Sequence, residues 1–190
     1  MEQTKVYQEL KALLSRYRNP SDELLREIFP FVSARTYEAK DLLTQVGEIS
    51  NRLCLITEGG AVAYKTVKGE RKLVAVWKEG DLIIHAQSAL AVKKSEVQIV
   101  FLTHSTTIEI RNKDLNNLRQ QSPEMSRYFD HFLADDLQMM SDHVCWLKGT
   151  KAEQRIIDFR DNYKLLATLL PEEQKAYYLN MSLRWYQKQK

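Results

Sequence analysis

The spacing of apolar positions changes more than once along this chain, and each change predicts an element type. Val6, Leu10, Leu13, Leu14 and Tyr17 recur at helical intervals, which predicts an amphipathic first helix. Asn19-Pro20-Ser21-Asp22 then supplies a cap and a first-turn proline for a second short helix reaching about Phe29. From Ala34 to Ile110 the period shortens, and LCLIT, AVAYKTV, KLVAVW, VQIVFL and TTIEI read as strands. Gly47-Glu48, Gly59-Gly60, Lys68-Gly69 and Gly80-Asp81 mark tight turns between them, so about eight short antiparallel strands forming a β-roll or barrel are expected. After Asn112 the helical period returns. Lys113 to Arg119 suits a short helix, and Ser122-Pro123-Glu124 opens a long one that runs to about Leu147 and closes at Gly149-Thr150.

The long helix carries a second pattern. Leu133, Leu137, Met140, Val144 and Leu147 follow the four-three-four-three spacing of a coiled-coil seam, which predicts pairing with a second copy of the chain. The alternative is that this stripe packs on its own roll, with Phe132 and Trp146 widening it for that contact.

Composition narrows the class. An apolar fraction of 44% in 190 residues supports a real core. No apolar run approaches the roughly 20 residues that cross a bilayer, and the start, MEQTKVYQELKALLSRYR, reads as an amphipathic helix and not a signal peptide, so a cytoplasmic protein is expected. Cys54 and Cys145 offer neither a disulfide framework nor a zinc knuckle and are expected to be buried thiols. His85, His104, His131 and His143 make no HxH or HExxH pattern, and no G-x-S-x-G, P-loop or G-x-G-x-x-G occurs. No catalytic residue, metal or cofactor is therefore predicted, and Asp135-Asp136 reads as solvated carboxylate beside the seam. The net charge of +3 is unevenly placed: from Lys148 onward nine basic residues face five acidic ones. Such an end suits a polyanion, although a solvated helical face gives the same count.

The order of these parts resembles the catabolite-activator (Crp/Fnr) family of bacterial transcription regulators. The resemblance rests on GEISNRLCLITEGGAVAYKTVKGERKL, on W-K-E-G-D-L, and on S-P-E-M at the entrance to the long helix. It implies an α+β fold: an N-terminal double-stranded β-helix of the jelly-roll, cyclic-nucleotide-binding kind over residues 1–121, a dimerisation helix over 122–148, and a helix-turn-helix over 149–190. The tail, Pro171 to Ser182 followed by LRWYQKQK, is similar to the DNA-reading unit of the Bacteroidetes-type branch. Asn180 tolerates the left-handed turn position, and Ser182 suits the N-cap of the second helix, read as about nine residues long. Arg184, Gln187 and Lys188 would then face a major groove. Lys175 at a usually apolar position, Glu172 and Glu173 near any phosphate backbone, and the bulk of Trp185 depart from the pattern.

In that family, a short helix after G-D-x-x-G-E offers backbone N–H groups to a cyclic phosphate. The Glu holds the ribose, and an Arg about ten residues on forks the phosphate. Here Gly80-Asp81 matches, while the glycine falls on Ile84, the glutamate on His85 and the arginine on about Ser95. Cyclic AMP is therefore not the expected effector, and the effector is left unidentified. The candidate pocket comprises Ile83, Ile84, His85, Gln87, Ser88, Lys93, Lys94 and Ser95. Lys93 and Lys94 could attract an anion or simply form a solvated loop pair. His85 could meet a different ligand, respond to pH or ligate a metal, or could be merely packed. Three function classes are weighed: a homodimeric DNA-binding regulator, a binding protein acting through ligand or protein contacts without reading DNA, and an enzyme of the barrel-plus-metal kind, for which no motif speaks.

Overall fold

The computed structural model describes residues 3–189, apart from the side chain of Ala89. In chain order the elements are α1 (Gln3–Ser15), α2 (Asp22–Ile28), β1 (Val32–Tyr37), β2 (Leu42–Thr44), β3 (Arg52–Glu58), β4 (Gly60–Val67), β5 (Glu70–Lys78) and β6 (Leu82–Ile83). They continue with α3 (Ala86–Ala91), β7 (Val97–Phe101), β8 (Ser105–Arg111), α4 (Asn112–Gln121), α5 (Pro123–Gly149), α6 (Ala152–Asn162), α7 (Lys164–Leu169), α8 (Glu172–Tyr178) and α9 (Leu183–Lys188). Ser21, not Asn19, is the N-cap of α2, its hydroxyl accepting from the Leu24 N–H, so Pro20 precedes the helix instead of opening it. Ser122 caps α5 in the same way through the Met125 N–H, with Pro123 at the position where its missing N–H is harmless.

The strands form two antiparallel four-stranded sheets, β1-β8-β3-β6 and β2-β7-β4-β5, wrapped into a jelly roll. Alternation along each strand is real, but both faces of the sheets are buried. Along β3, Cys54 and Ile56 point into the roll, while Leu53 and Leu55 point outward to a helical layer. Along β4, Ala61 and Ala63 point inward, and Val62 and Tyr64 point outward to a second helical layer. Three apolar clusters result. The middle one, with Trp77, Ile99 and Phe101, fills the roll, and Tyr37 stacks on Phe101 with ring centroids 4.2 Å apart.

The first helical layer is α1, α2, α4 and the start of α5, whose Met125, Tyr128, Phe129 and Phe132 are buried against the first sheet. The second layer is the tail. Ile156, Phe159, Leu166, Leu170, Ala176, Leu179 and Tyr186 form one cluster with Val62, Tyr64, Leu73, Val76 and Val100 of the second sheet. The roll is thus held between two helical layers supplied by its own chain. Arg155 fixes the joint: its guanidinium donates to the carbonyls of Leu147 (2.6 Å), Thr150 (3.0 Å) and Asn180 (3.3 Å), tying the end of α5 to the turn before α9. Cys54 is buried as expected. Cys145 is exposed, because it sits on the solvent side of α5 beyond the reach of either layer.

Candidate functional site

The turn Gly80-Asp81, with Gly80 at φ 88°, leads through β6 to α3, where the family resemblance places a ligand mouth. The predicted pocket residues do not converge. Ile83 points into the roll interior, and Ile84 is 8% exposed within the cluster beneath the N-terminal helices. Gln87, Lys93 and Lys94 face solvent. The structure does bring together His85, Ser88 and Ser95.

These three close the mouth with bonds to one another. His85 Nδ1 accepts from the Ser88 N–H (3.2 Å), so the first free amide of α3 is already capped. His85 Nε2 lies 3.0 Å from Ser95 Oγ. Ser95 Oγ donates its single proton to the Val97 carbonyl (2.7 Å), so the imidazole must donate to Ser95, and the neutral Nε2–H tautomer is the one that satisfies every partner. Burial pushes the His85 pKa down, in the direction that favours this neutral form. Ser88 Oγ donates to the Lys93 carbonyl (2.7 Å) and closes the far end of α3. The positions of the sugar acceptor and the phosphate fork are therefore hydrogen-bonded to each other.

At the other end of the molecule a turn at Asn180 joins α8 to α9. Asn180 adopts φ 53°, and Ser182 Oγ accepts from the Trp185 N–H (3.2 Å) at the start of α9. Helix α9 spans six residues instead of nine. Arg184, Gln187 and Lys188 are exposed on it; Gln187 Nε2 also donates to Glu172 Oε2 (3.1 Å). Lys175 is 9% exposed, yet its ammonium donates to the Ala167 carbonyl (2.9 Å) while its stem fills the cluster. Arg155 and Lys175 are thus internal, which removes two of the nine basic residues from any polyanion-facing surface.

The tail also grips the roll. β5 is an edge strand, and Gln174 of α8 completes it: the Leu73 N–H donates to Gln174 Oε1 (2.8 Å), and Gln174 Nε2 donates to the Arg71 carbonyl (2.9 Å). Lys72 pairs with Glu173 (3.1 Å), and Lys78 Nζ donates to the Asn162 carbonyl (3.2 Å). Sequence reasoning took Glu173 for a liability against phosphate. Its partner lies about 100 residues away in sequence, and no local pattern announces that.

Along α5 the seam divides. Leu133 is half-buried against the chain's own core and Leu147 is half-buried at the far end of α5, whereas Leu137, Met140 and Val144 are 67%, 52% and 47% exposed. The beginning of the stripe packs on the chain's own core, and Leu137, Met140 and Val144 are exposed among the described residues.

Residues 34–122 match the cyclic nucleotide-binding domain family. No curated protein matches the chain in sequence. Among solved structures, the chain is similar to a protein assigned to the crp/fnr family of transcriptional regulators from Eubacterium rectale (TM-score 0.70, 12% identity, covering 94% of this chain and 85% of that one). It is also similar to FixK2 from Bradyrhizobium japonicum (TM-score 0.67, 14% identity, 83% and 82% covered). A third is the Thermus thermophilus catabolite activator protein (TM-score 0.57, 17% identity, 93% and 84% covered). Among the described residues no helix is long and apolar enough to cross a membrane. The chain thus holds a region that matches the cyclic nucleotide-binding domain family, set within a fold similar to that of the catabolite activator protein.

Proposed function

We propose that this protein is a cytoplasmic, homodimeric DNA-binding transcription regulator of the Crp/Fnr type, of the branch its tail motif resembles, whose effector is not cyclic AMP. Residues 1–121 act as sensor or scaffold, 122–148 as the dimer helix and 149–190 as the DNA reader. A change in the tilt of two paired α5 helices would set the separation of two α9 helices against a half-site spacing of about 34 Å. The observation that carries this reading is α9, capped by Ser182 and presenting Arg184, Gln187 and Lys188 to solvent even with the tail docked on its roll. The exposed Leu137, Met140 and Val144 support the pairing. The His85–Ser95 hydrogen bond supports the exclusion of cyclic AMP, because it ties together the two positions from which the sugar and the cyclic phosphate would be held.

Gel-shift titration of promoter fragments over a salt series tests the proposal. A reader shows a steep loss of affinity with salt and a specificity ratio well above one, and Arg184→Ala lowers that ratio. Binding equal to random duplex, with no effect of Arg184→Ala, would leave the second reading, an interaction module that does not read DNA. The observation favouring that alternative is the docked tail itself, with Gln174 and Glu173 of α8 committed to β5 and Lys72.

A further inference from the structure

We infer that the cleft between the roll, the long helix and the tail is a binding site for a flat heteroaromatic molecule, uncharged or cationic, of one or two fused rings. The cleft has a volume of about 300 Å³ and is lined by Val74 of β5, Met139, His143 and Trp146 of α5, Tyr163, and Tyr178 of α8. That size and an apolar lining broken by a few polar groups are what small-molecule sites require, and a junction between structural units is where they occur. This inference stands whether or not the tail reads DNA, since it concerns neither α9 nor the mouth at α3.

Four observations point to the ligand. The walls are ring faces: His143 stacks on Tyr178 with centroids 4.6 Å apart and lies 5.6 Å from Trp146. Such faces take a planar guest by stacking and attract positive charge. The His143 imidazole, half-buried and held toward its neutral form by burial, makes no hydrogen bond among the described residues, so its edge is open to a donor or acceptor on the guest. The charged residue in the lining is Asp142, and no Lys or Arg contributes among the described residues, so a phosphate or carboxylate would face that carboxylate with no cationic partner. Lys78, the ammonium near Tyr163, is held by the Asn162 carbonyl.

The backbone supplies the fourth observation. In the β4–β5 ladder Ala63 pairs with Ala75 and Tyr64 with Leu73, which leaves Val74 as an extra residue in a β-bulge. A bulge re-aims side chains and recurs beside functional sites. Here it leaves Val74 37% exposed at the cleft, an apolar side chain that the β5 edge would otherwise direct elsewhere. A guest in this position touches β5, α5 and α8 together, so it favours the docked arrangement of the tail over any other.

The test uses the full chain with quinoline as probe, read by the NMR shift of the Trp146 indole N–H. Saturable binding is expected, weakened at least tenfold in Val74→Trp, which fills the mouth from an exposed position, and at least tenfold in His143→Ala. Naphthalenesulfonate, equally flat but anionic, is expected to bind at least tenfold more weakly than quinoline. The assignment is overturned by non-saturable shifts, by equal binding of the anion, or by Val74→Trp binding quinoline as well as the parent. It is also overturned if quinoline binding vanishes as the protein concentration is raised through the range of self-association, which would make a second copy the occupant.

Discussion

Replacing Gln174 with Ala should loosen the tail from the roll while both remain folded. The side chain makes a two-point contact with an edge strand, accepting from the Leu73 N–H at 2.8 Å and donating to the Arg71 carbonyl at 2.9 Å. A hydrogen bond of this kind contributes about 0.5–1.5 kcal/mol net. The Arg71 carbonyl can turn to water once Gln174 is gone, and the two bonds together bring the loss to about 1–3 kcal/mol of docking energy. That corresponds to a roughly 5–150-fold larger population of undocked tail. Lys72–Glu173 is a partly exposed ion pair and adds little. The apolar cluster around Leu166 and Leu179 survives, which is why the tail shifts its equilibrium instead of dissociating outright. Native-state hydrogen exchange measures the change directly: amides of α8 and the Leu73 N–H should lose protection by that factor, while β3 and β8 keep theirs. If the tail must move to read DNA, promoter affinity rises by the same factor. Unchanged protection at Leu73 and α8 would refute the role given to Gln174, as would a loss spread evenly over the roll.

Leu137→Glu places a carboxylate in each half of a paired seam and should raise the dimer dissociation constant about a hundredfold, roughly 3 kcal/mol, by sedimentation equilibrium. The melting temperature of the dilute chain should stay put, because Leu137 is 67% exposed within one copy. Acidification should weaken the α3 mouth: with the His85 pKa lowered in the folded state, the unfolded chain binds more protons below about pH 6.5, so stability falls as pH drops through that value. Asp136, raised to about 6 by burial, acts with the opposite sign below that pH, so the His85 effect is read as the difference from His85→Asn, whose amide oxygen can still accept the Ser88 N–H but does not titrate. Gly60→Ala should separate sheet from tail at a cost of about 1–3 kcal/mol in thermal unfolding, since the new Cβ would sit 2.8 Å from Leu166 Cδ1 and 2.9 Å from the Trp77 carbonyl oxygen.

The elements were legible because their signals are local. Val6 to Leu14, the glycine-marked turns and the Ser122-Pro123 start of α5 each specify backbone conformation within a few residues, and the strands and helices fall where these place them. What stayed hidden depends on partners far away. Nothing in the alternation of β4 tells that Val62 and Tyr64 face a helical layer of the same chain instead of solvent, because that layer begins some 90 residues later. The bulge at Val74 has no glycine to mark it. His85 and Ser95 were singled out as the altered positions of a ligand mouth, but their bond to each other required the α3 turn to be closed by Ser88 and Lys93. The cleft around His143 was invisible for the same reason: its walls come from β5, α5, α6 and α8.

The residues that depart from the family pattern share a physical outcome. His85 bonds Ser95, Lys175 caps the Ala167 carbonyl, Glu172 holds Gln187, and Glu173 holds Lys72. A chain drifting away from an unused function would be expected to leave unpaired polar groups where ligand or DNA contacts had been, since an orphaned buried donor or acceptor costs about 1–3 kcal/mol and nothing local repairs it. In this chain the altered groups are paired, and the pairs fall at three places: the ligand mouth (His85–Ser95), the interior of the tail (Lys175–Ala167 and Glu172–Gln187) and the joint between tail and roll (Glu173–Lys72). At the mouth they satisfy in advance the groups that a bound anion would satisfy. At the joint Glu173 holds α8 against Lys72 of β5, beside the cleft whose walls are rings. Taken together, these contacts satisfy the mouth without a cyclic phosphate and hold the tail on the roll beside the proposed ligand cleft between β5 and α5. Sensing would then be moved from the mouth to the joint, and the joint is where a perturbation such as Gln174→Ala or Val74→Trp should change the behaviour of the tail.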